Sequence, residues 1–72
     1  MSHDKLVRMA NQIATFFESQ PGEDQAARVA AHLKDYWAPA MRAELARFVR
    51  DGDPGVTPLV AQAVALLEQK AA

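Results

Sequence analysis

Helix-breaking residues stand at three places in this chain, and they leave room only for short elements. Pro21-Gly22, Pro39 and Asp51-Gly52-Asp53-Pro54-Gly55 cut the 72 residues into four pieces. No hairpin dipeptide sits between alternating apolar and polar residues. Fifteen alanines and few β-branched residues favour helix throughout. The expected fold is all-α: a single domain over 1–72, built as a small irregular bundle of four short helices at about 4–18, 23–37, 39–50 and 58–69.

Each piece has an apolar stripe at helical spacing. In the first, Leu6, Val7, Met9, Ala10, Ile13, Ala14, Phe16 and Phe17 fill half the wheel, with Ser2 or Asp4 as a cap. A helix facing one core needs a stripe only a little over about 100° wide. The extra width predicts that this helix touches two things. The second stripe is narrower: Ala26, Val29, Ala30, Leu33, Tyr36 and Trp37, with Glu23 and Asp24 at the positive end of the helix dipole. Pro39 disfavours helical geometry at Ala38 and suits the first turn of a third helix. That helix carries Met41, Leu45, Phe48 and Val49 on one face, and Gly52 can end it in a left-handed conformation. Thr57 caps the fourth, whose stripe is Leu59, Val60, Ala63, Val64, Leu66 and Leu67.

A domain this size buries only about 60% of the surface its unfolded chain exposes, so its stability alone is marginal, and small domains usually compensate with disulfides, a metal or a partner. The sequence has no cysteine and two histidines, His3 and His32. Neither a disulfide nor a thiolate-held zinc or iron–sulfur centre is possible. A partner is the remaining route. Eight basic against nine acidic residues give a formal charge of -1, which argues against a general polyanion binder. Arg42, Arg47 and Arg50 make the third helix mildly basic, but Glu44 and Asp51 interrupt the patch, and a solvated face is the expectation. No apolar run approaches the roughly 20 residues of a membrane span, and the start of the chain lacks the layout of a signal peptide. A cytoplasmic protein is expected.

No catalytic set emerges. Serine occurs only at Ser2 and Ser19, and the glycines at 22, 52 and 55 fit neither a dinucleotide nor a P-loop spacing. The Asp51–Gly55 stretch starts like a calcium loop, but Gly55 and Gln62 stand where oxygen ligands are needed, so a helix-ending turn is expected. His3 reads as a solvated terminal residue. His32, at the edge of its stripe, fits either a half-buried histidine bonded to a carbonyl or a partner contact. Trp37 is central to its stripe and reads as core, though Trp, Tyr and Arg are also the residues enriched at binding hot spots. Tyr36 and Arg42 sit at stripe margins. Arg42 can lay its stem on apolar surface and offer its fork to a carboxylate or carbonyl.

Three blocks together resemble a known family. Lys5-Leu6-Val7-Arg8-Met9-Ala10-Asn11-Gln12-Ile13-Ala14-Thr15-Phe16-Phe17 resembles the opening signature of the delta subunit of soluble NAD-dependent formate dehydrogenases. Val29-Ala30-Ala31-His32-Leu33, followed by Tyr36-Trp37-Ala38-Pro39-Ala40-Met41-Arg42, is similar to that family's His-to-Trp-x-Pro-x-Met-Arg stretch. Thr57-Pro58-Leu59-Val60-Ala61-Gln62-Ala63 resembles its closing helix. The family commonly has Asp and Arg where this chain has Ala38 and Ala40. The resemblance implies a small accessory chain of a cytoplasmic complex that oxidises formate to carbon dioxide and reduces NAD. The large catalytic subunit and the iron–sulfur/flavin subunits would hold a molybdenum or tungsten bis-pterin guanine dinucleotide centre, iron–sulfur clusters, FMN and NAD. This chain would bind no cofactor, and it would support assembly or stability of the catalytic subunit. The expected contact residues are Val7 and Phe16 on the first helix with His32, Tyr36, Trp37, Pro39, Met41 and Arg42. The rival expectation is a free-standing helical module that self-associates through the same wide stripe. A small DNA-binding regulator ranks below both.

Overall fold

Four helices follow the four pieces of sequence: α1 His3–Glu18, α2 Gln25–Tyr36, α3 Pro39–Arg50 and α4 Pro58–Ala71. The computed structural model describes residues 2–71, with side chains described for 2–69. Local chemistry sets the helix ends. The Ser2 hydroxyl accepts the Lys5 N–H at 3.3 Å, and Asp4 lies in the first turn. Thr57 Oγ1 accepts the Val60 N–H at 3.5 Å. α3 ends in a Schellman motif, with Gly52 at φ 75°, its N–H on the Val49 carbonyl and the Asp53 N–H on the Phe48 carbonyl, each at 3.1 Å.

α2 is shorter than the expected 23–37. Its start moves to Gln25 because the connection from α1 needs Gly22 at φ 130°, a conformation outside any helix. Asp24 caps α2 through its backbone only, and its carboxylate turns to Arg28, 3.1 Å away. At the other end Trp37 and Ala38 are extended, with ψ of 141° and 146°. The ring of Pro39 excludes helical geometry at Ala38, so two residues suffice to separate α2 from α3.

α2 lies at the centre of the bundle and makes its most extensive contact with α4. Small residues allow the close approach: Ala10, Ala14, Ala30 and Ala63 are all buried. Around them pack Leu6, Val29, Leu33, Leu45, Leu59, Val60 and Val64, with Trp37 closing the corner between α2 and α3. The described residues bury no polar or charged side chain. The α-carbon radius of gyration, 11.1 Å, equals the value of about 11 Å typical of a folded chain this long. α3 is the least anchored helix, with Leu45 as its one buried residue.

Close contact at alanine generates a prediction. Ala63 is fully buried, whereas Ala65, two residues on, is exposed. Ala63→Leu is expected to lower stability by about 1–3 kcal/mol through overpacking. Ala65→Leu should change it by less than about 0.5 kcal/mol. Urea unfolding followed by circular dichroism checks both.

Candidate interaction surface

The wide apolar stripe of α1 is used on two sides. Its inner edge, Leu6, Ala10 and Ala14, enters the core. Its outer edge runs along α2 and stays partly open. Met9, Ile13, Phe16 and Phe17 from α1 meet His32 and Trp37 from the α2 side in a groove whose one further lining residue is Gln12. No Lys, Arg, Asp or Glu lines it. Phe16 is 59% exposed and Tyr36 77%, the two large hydrophobic side chains left outside among the described residues.

The rings form a connected row. Phe16 stands edge-on to Phe17 with centroids 5.2 Å apart, Phe17 to His32 at 6.2 Å, and His32 lies against Tyr36 at 4.7 Å with a 37° tilt. Edge-on and offset contacts are the arrangements aromatic pairs favour. The row is a largely apolar surface with polar atoms at His32 and Tyr36.

The expected contact residues do not form one patch. Phe16 and His32 line the α1–α2 groove, Trp37 contributes its edge while 7% exposed, and Tyr36 lies outside the groove, stacked against His32. Val7, also 7% exposed, lies toward the other end of α1, beside the α3–α4 turn, and presents almost no area. Helical spacing shows that Val7 and Phe16 share a wide stripe; only packing decides which edge turns inward. Pro39 is exposed at the start of α3, and Met41 packs half-buried against the core. Arg42 faces a separate groove between α3 and α4, with Nη1 donating to the Lys34 carbonyl at 2.9 Å.

Two polar residues, His3 at the start of α1 and Asn11 at its middle, tie the helix to the α3–α4 turn. The Asn11 amide nitrogen donates to the Gly55 carbonyl at 2.8 Å, while its oxygen accepts the Thr57 N–H at 3.2 Å. One side chain thus satisfies a donor and an acceptor of the α3–α4 turn, which also fixes the amide's orientation. His3 is exposed, as expected, but it is also bonded to its neighbours. Its Nε2 bonds the Asp53 carboxylate, its Nδ1 lies 3.2 Å from Asp4, and its ring stands edge-on to Phe48 at 4.4 Å. Asp53 Oδ1 accepts the Gly55 N–H at 2.8 Å. The Asp51–Gly55 stretch is accordingly a helix-ending turn locked from α1. Among the described residues no group of three or more His, Asp or Glu side chains could hold a metal.

The clasp carries a pH dependence. Bonds to Asp53 and then Asp4 hold the His3 pKa above its usual 6.5. Its contribution to folding is complete below 6.5 and fades as pH rises through the raised value. The Gly55 N–H, followed by His3, holds the Asp53 carboxyl below its usual 3.8. Its contribution is present above 3.8 and fades as pH falls through the lowered value. The melting temperature is expected to decline from mildly acidic toward alkaline pH, and His3→Gln should flatten that decline; thermal scans across the range check this. Asn11→Ala is expected to cost about 1–2 kcal/mol by leaving the Gly55 and Thr57 groups without their partner, read from urea unfolding.

No helix among the described residues is long and apolar enough to cross a membrane. No curated protein matches the sequence. The family model of the NADH-dependent formate dehydrogenase delta subunit, FdsD, matches residues 5–64 and so takes in all of α2 and α3, nearly all of α1 and half of α4. With that span matched and an all-helical fold, the chain belongs to the FdsD family of formate dehydrogenase delta subunits.

Proposed function

We infer that this chain is a non-catalytic subunit of a cytoplasmic NAD-dependent formate dehydrogenase. It docks on the large catalytic subunit through the α1–α2 aromatic groove and favours that subunit's assembled, cofactor-loaded state. The observation that carries the reading is the row Phe16–Phe17–His32–Tyr36, uncharged along its groove and exposed at both ends. Aromatic side chains bury about 150–250 Å² each and dominate interface energetics. A typical stable interface covers about 800 Å² on each partner. That is roughly a sixth of this chain's 4650 Å² of accessible surface, a footprint the groove and its rim can centre.

Formate oxidation with NAD reduction belongs, in this reading, to the larger subunits. They hold the molybdenum or tungsten bis-pterin guanine dinucleotide centre, the iron–sulfur clusters, FMN and NAD. The delta chain's own residues suit a non-redox part, since its sequence lacks the cysteines that clusters require. Stabilisation follows from mass action. A chain that binds only the assembled partner stabilises that state by about 2.7 kcal/mol at a hundredfold excess over the dissociation constant.

The test is co-purification of this chain with a tagged catalytic subunit at low salt. Wild type should co-elute at a fixed ratio. Phe16→Ser with Tyr36→Ser should weaken association at least tenfold, while the free chain stays folded and its melting temperature falls by only the few degrees that two lost surface ring pairs account for. Failure of the wild-type chain to co-elute with a well-expressed catalytic subunit contradicts the reading. A stable homodimer of the free chain by light scattering, sensitive to the same two substitutions, would favour self-association instead.

A further inference from the structure

A second groove, between α3 and α4, shares no lining residue with the aromatic one. Its floor is apolar: Ala43, Ala46, Val64 and Leu67. α3 has a single buried residue, Leu45; Ala46 and Leu67 are half-buried against the core, and Ala43 is exposed. Charged side chains stand around this floor. Glu68 is held by Arg50 at 2.9 Å. Lys34 and Arg42 have no carboxylate partner among the described residues. The groove is thus locally cationic, in a chain whose formal charge is -1.

Arg42 is also pre-organised. Its Nη1 donates to the Lys34 carbonyl in the last turn of α2, which fixes the guanidinium across the α2–α3 corner. That bond uses one of five N–H donors and leaves the rest of the fork for a carboxylate. A partner meeting a side chain already held in place loses less conformational entropy on binding. An apolar floor offers little to a bare phosphate or a nucleic-acid backbone, and Glu68 at its edge opposes one. Apolar contact combined with cations at one end instead matches a polypeptide segment that carries both kinds of group.

We propose that the α3–α4 groove docks a short apolar segment of a partner polypeptide bearing a carboxylate. Its apolar side chains lie over Ala43, Ala46 and Leu67, and its carboxylate pairs with Arg42, with Lys34 beside it. The inference rests on the accessory-subunit reading only for the complex in which it is first tested.

A photo-crosslinking amino acid is placed at Ala43, and in a parallel preparation at Tyr36, and each chain is assembled with the other formate dehydrogenase subunits before irradiation. The Ala43 probe should attach to a segment in which Asp or Glu lies within about one helical turn of an apolar run. Arg42→Glu should cut that yield about tenfold, while Arg42→Lys keeps most of it. Loss of the Ala43 crosslink, with the Tyr36 crosslink retained, overturns the second groove and leaves the accessory-subunit reading standing. A crosslink to a segment without a carboxylate, or a yield indifferent to Arg42→Glu, also overturns it. Failure of the chain to assemble counts against the accessory-subunit reading alone. The groove is then tested on the free chain by nuclear magnetic resonance with an acetylated helical peptide of leucine and glutamate. Shifts at Ala43, Ala46 and Leu67 that are absent with a leucine–lysine control support the proposal, and equal or absent shifts refute it. Melting scans of the Arg42 variants separate lost docking from lost folding.

Discussion

Close helix–helix approach through small residues governs this molecule. Ala10, Ala14, Ala30 and Ala63 let α1, α2 and α4 come together without bulky side chains between them. The gain is a tightly packed centre in which every contact carries dispersion energy at interior density. The consequence is a small core volume, filled by seven leucines and valines and by Trp37. Trp37 is the one large ring taken in among the described residues; Phe16 and Tyr36 are exposed, while Phe17 and His32 occupy the margin between core and solvent.

The two ends of α1 are treated differently. At its start His3 bridges Asp53 while packing on Phe48, and at mid-helix Asn11 grips the backbone of the α3–α4 turn. These bonds lie mostly at the surface, where each contributes little alone. Together with the Schellman motif at Gly52 they specify one path for the turn. Toward its end, α1 presents rings, and the Gln25 amide of α2 donates to the Glu18 carbonyl at 3.4 Å. A fixed end and an open apolar end suit a chain that offers one prepared surface to a larger partner, and membership of the formate dehydrogenase delta-subunit family supplies the setting.

Helix number, order and most ends were legible in the residues because proline, glycine and capping chemistry act locally. Pro39, Gly52 and Thr57 each do in the structure what their types favour. The start of α2 was misread because acidic residues near a helix start satisfy the dipole rule equally well from the cap or the first turn. The contacts of Asn11 with Gly55 and Thr57, and of His3 with Asp53, join residues more than forty positions apart, and no spacing rule reaches that far. The wheel showed that α1 has apolar surface to spare. It could not show that Val7 would be spent on the turn while Phe16 was left outside. For the same reason Arg42 was legible as an anchoring residue, but not its partner, the Lys34 carbonyl.

The central claim is that the apolar rings outside the small core are covered by another subunit. Hydroxyl-radical footprinting of the free chain and of the purified formate dehydrogenase complex measures this side chain by side chain. The account predicts strong labelling of Phe16 and Tyr36 in the free chain and severalfold protection of both in the complex, with Leu33 unreactive in either. Equal labelling of Phe16 and Tyr36 in the two preparations, with the chain present in the complex, would contradict it.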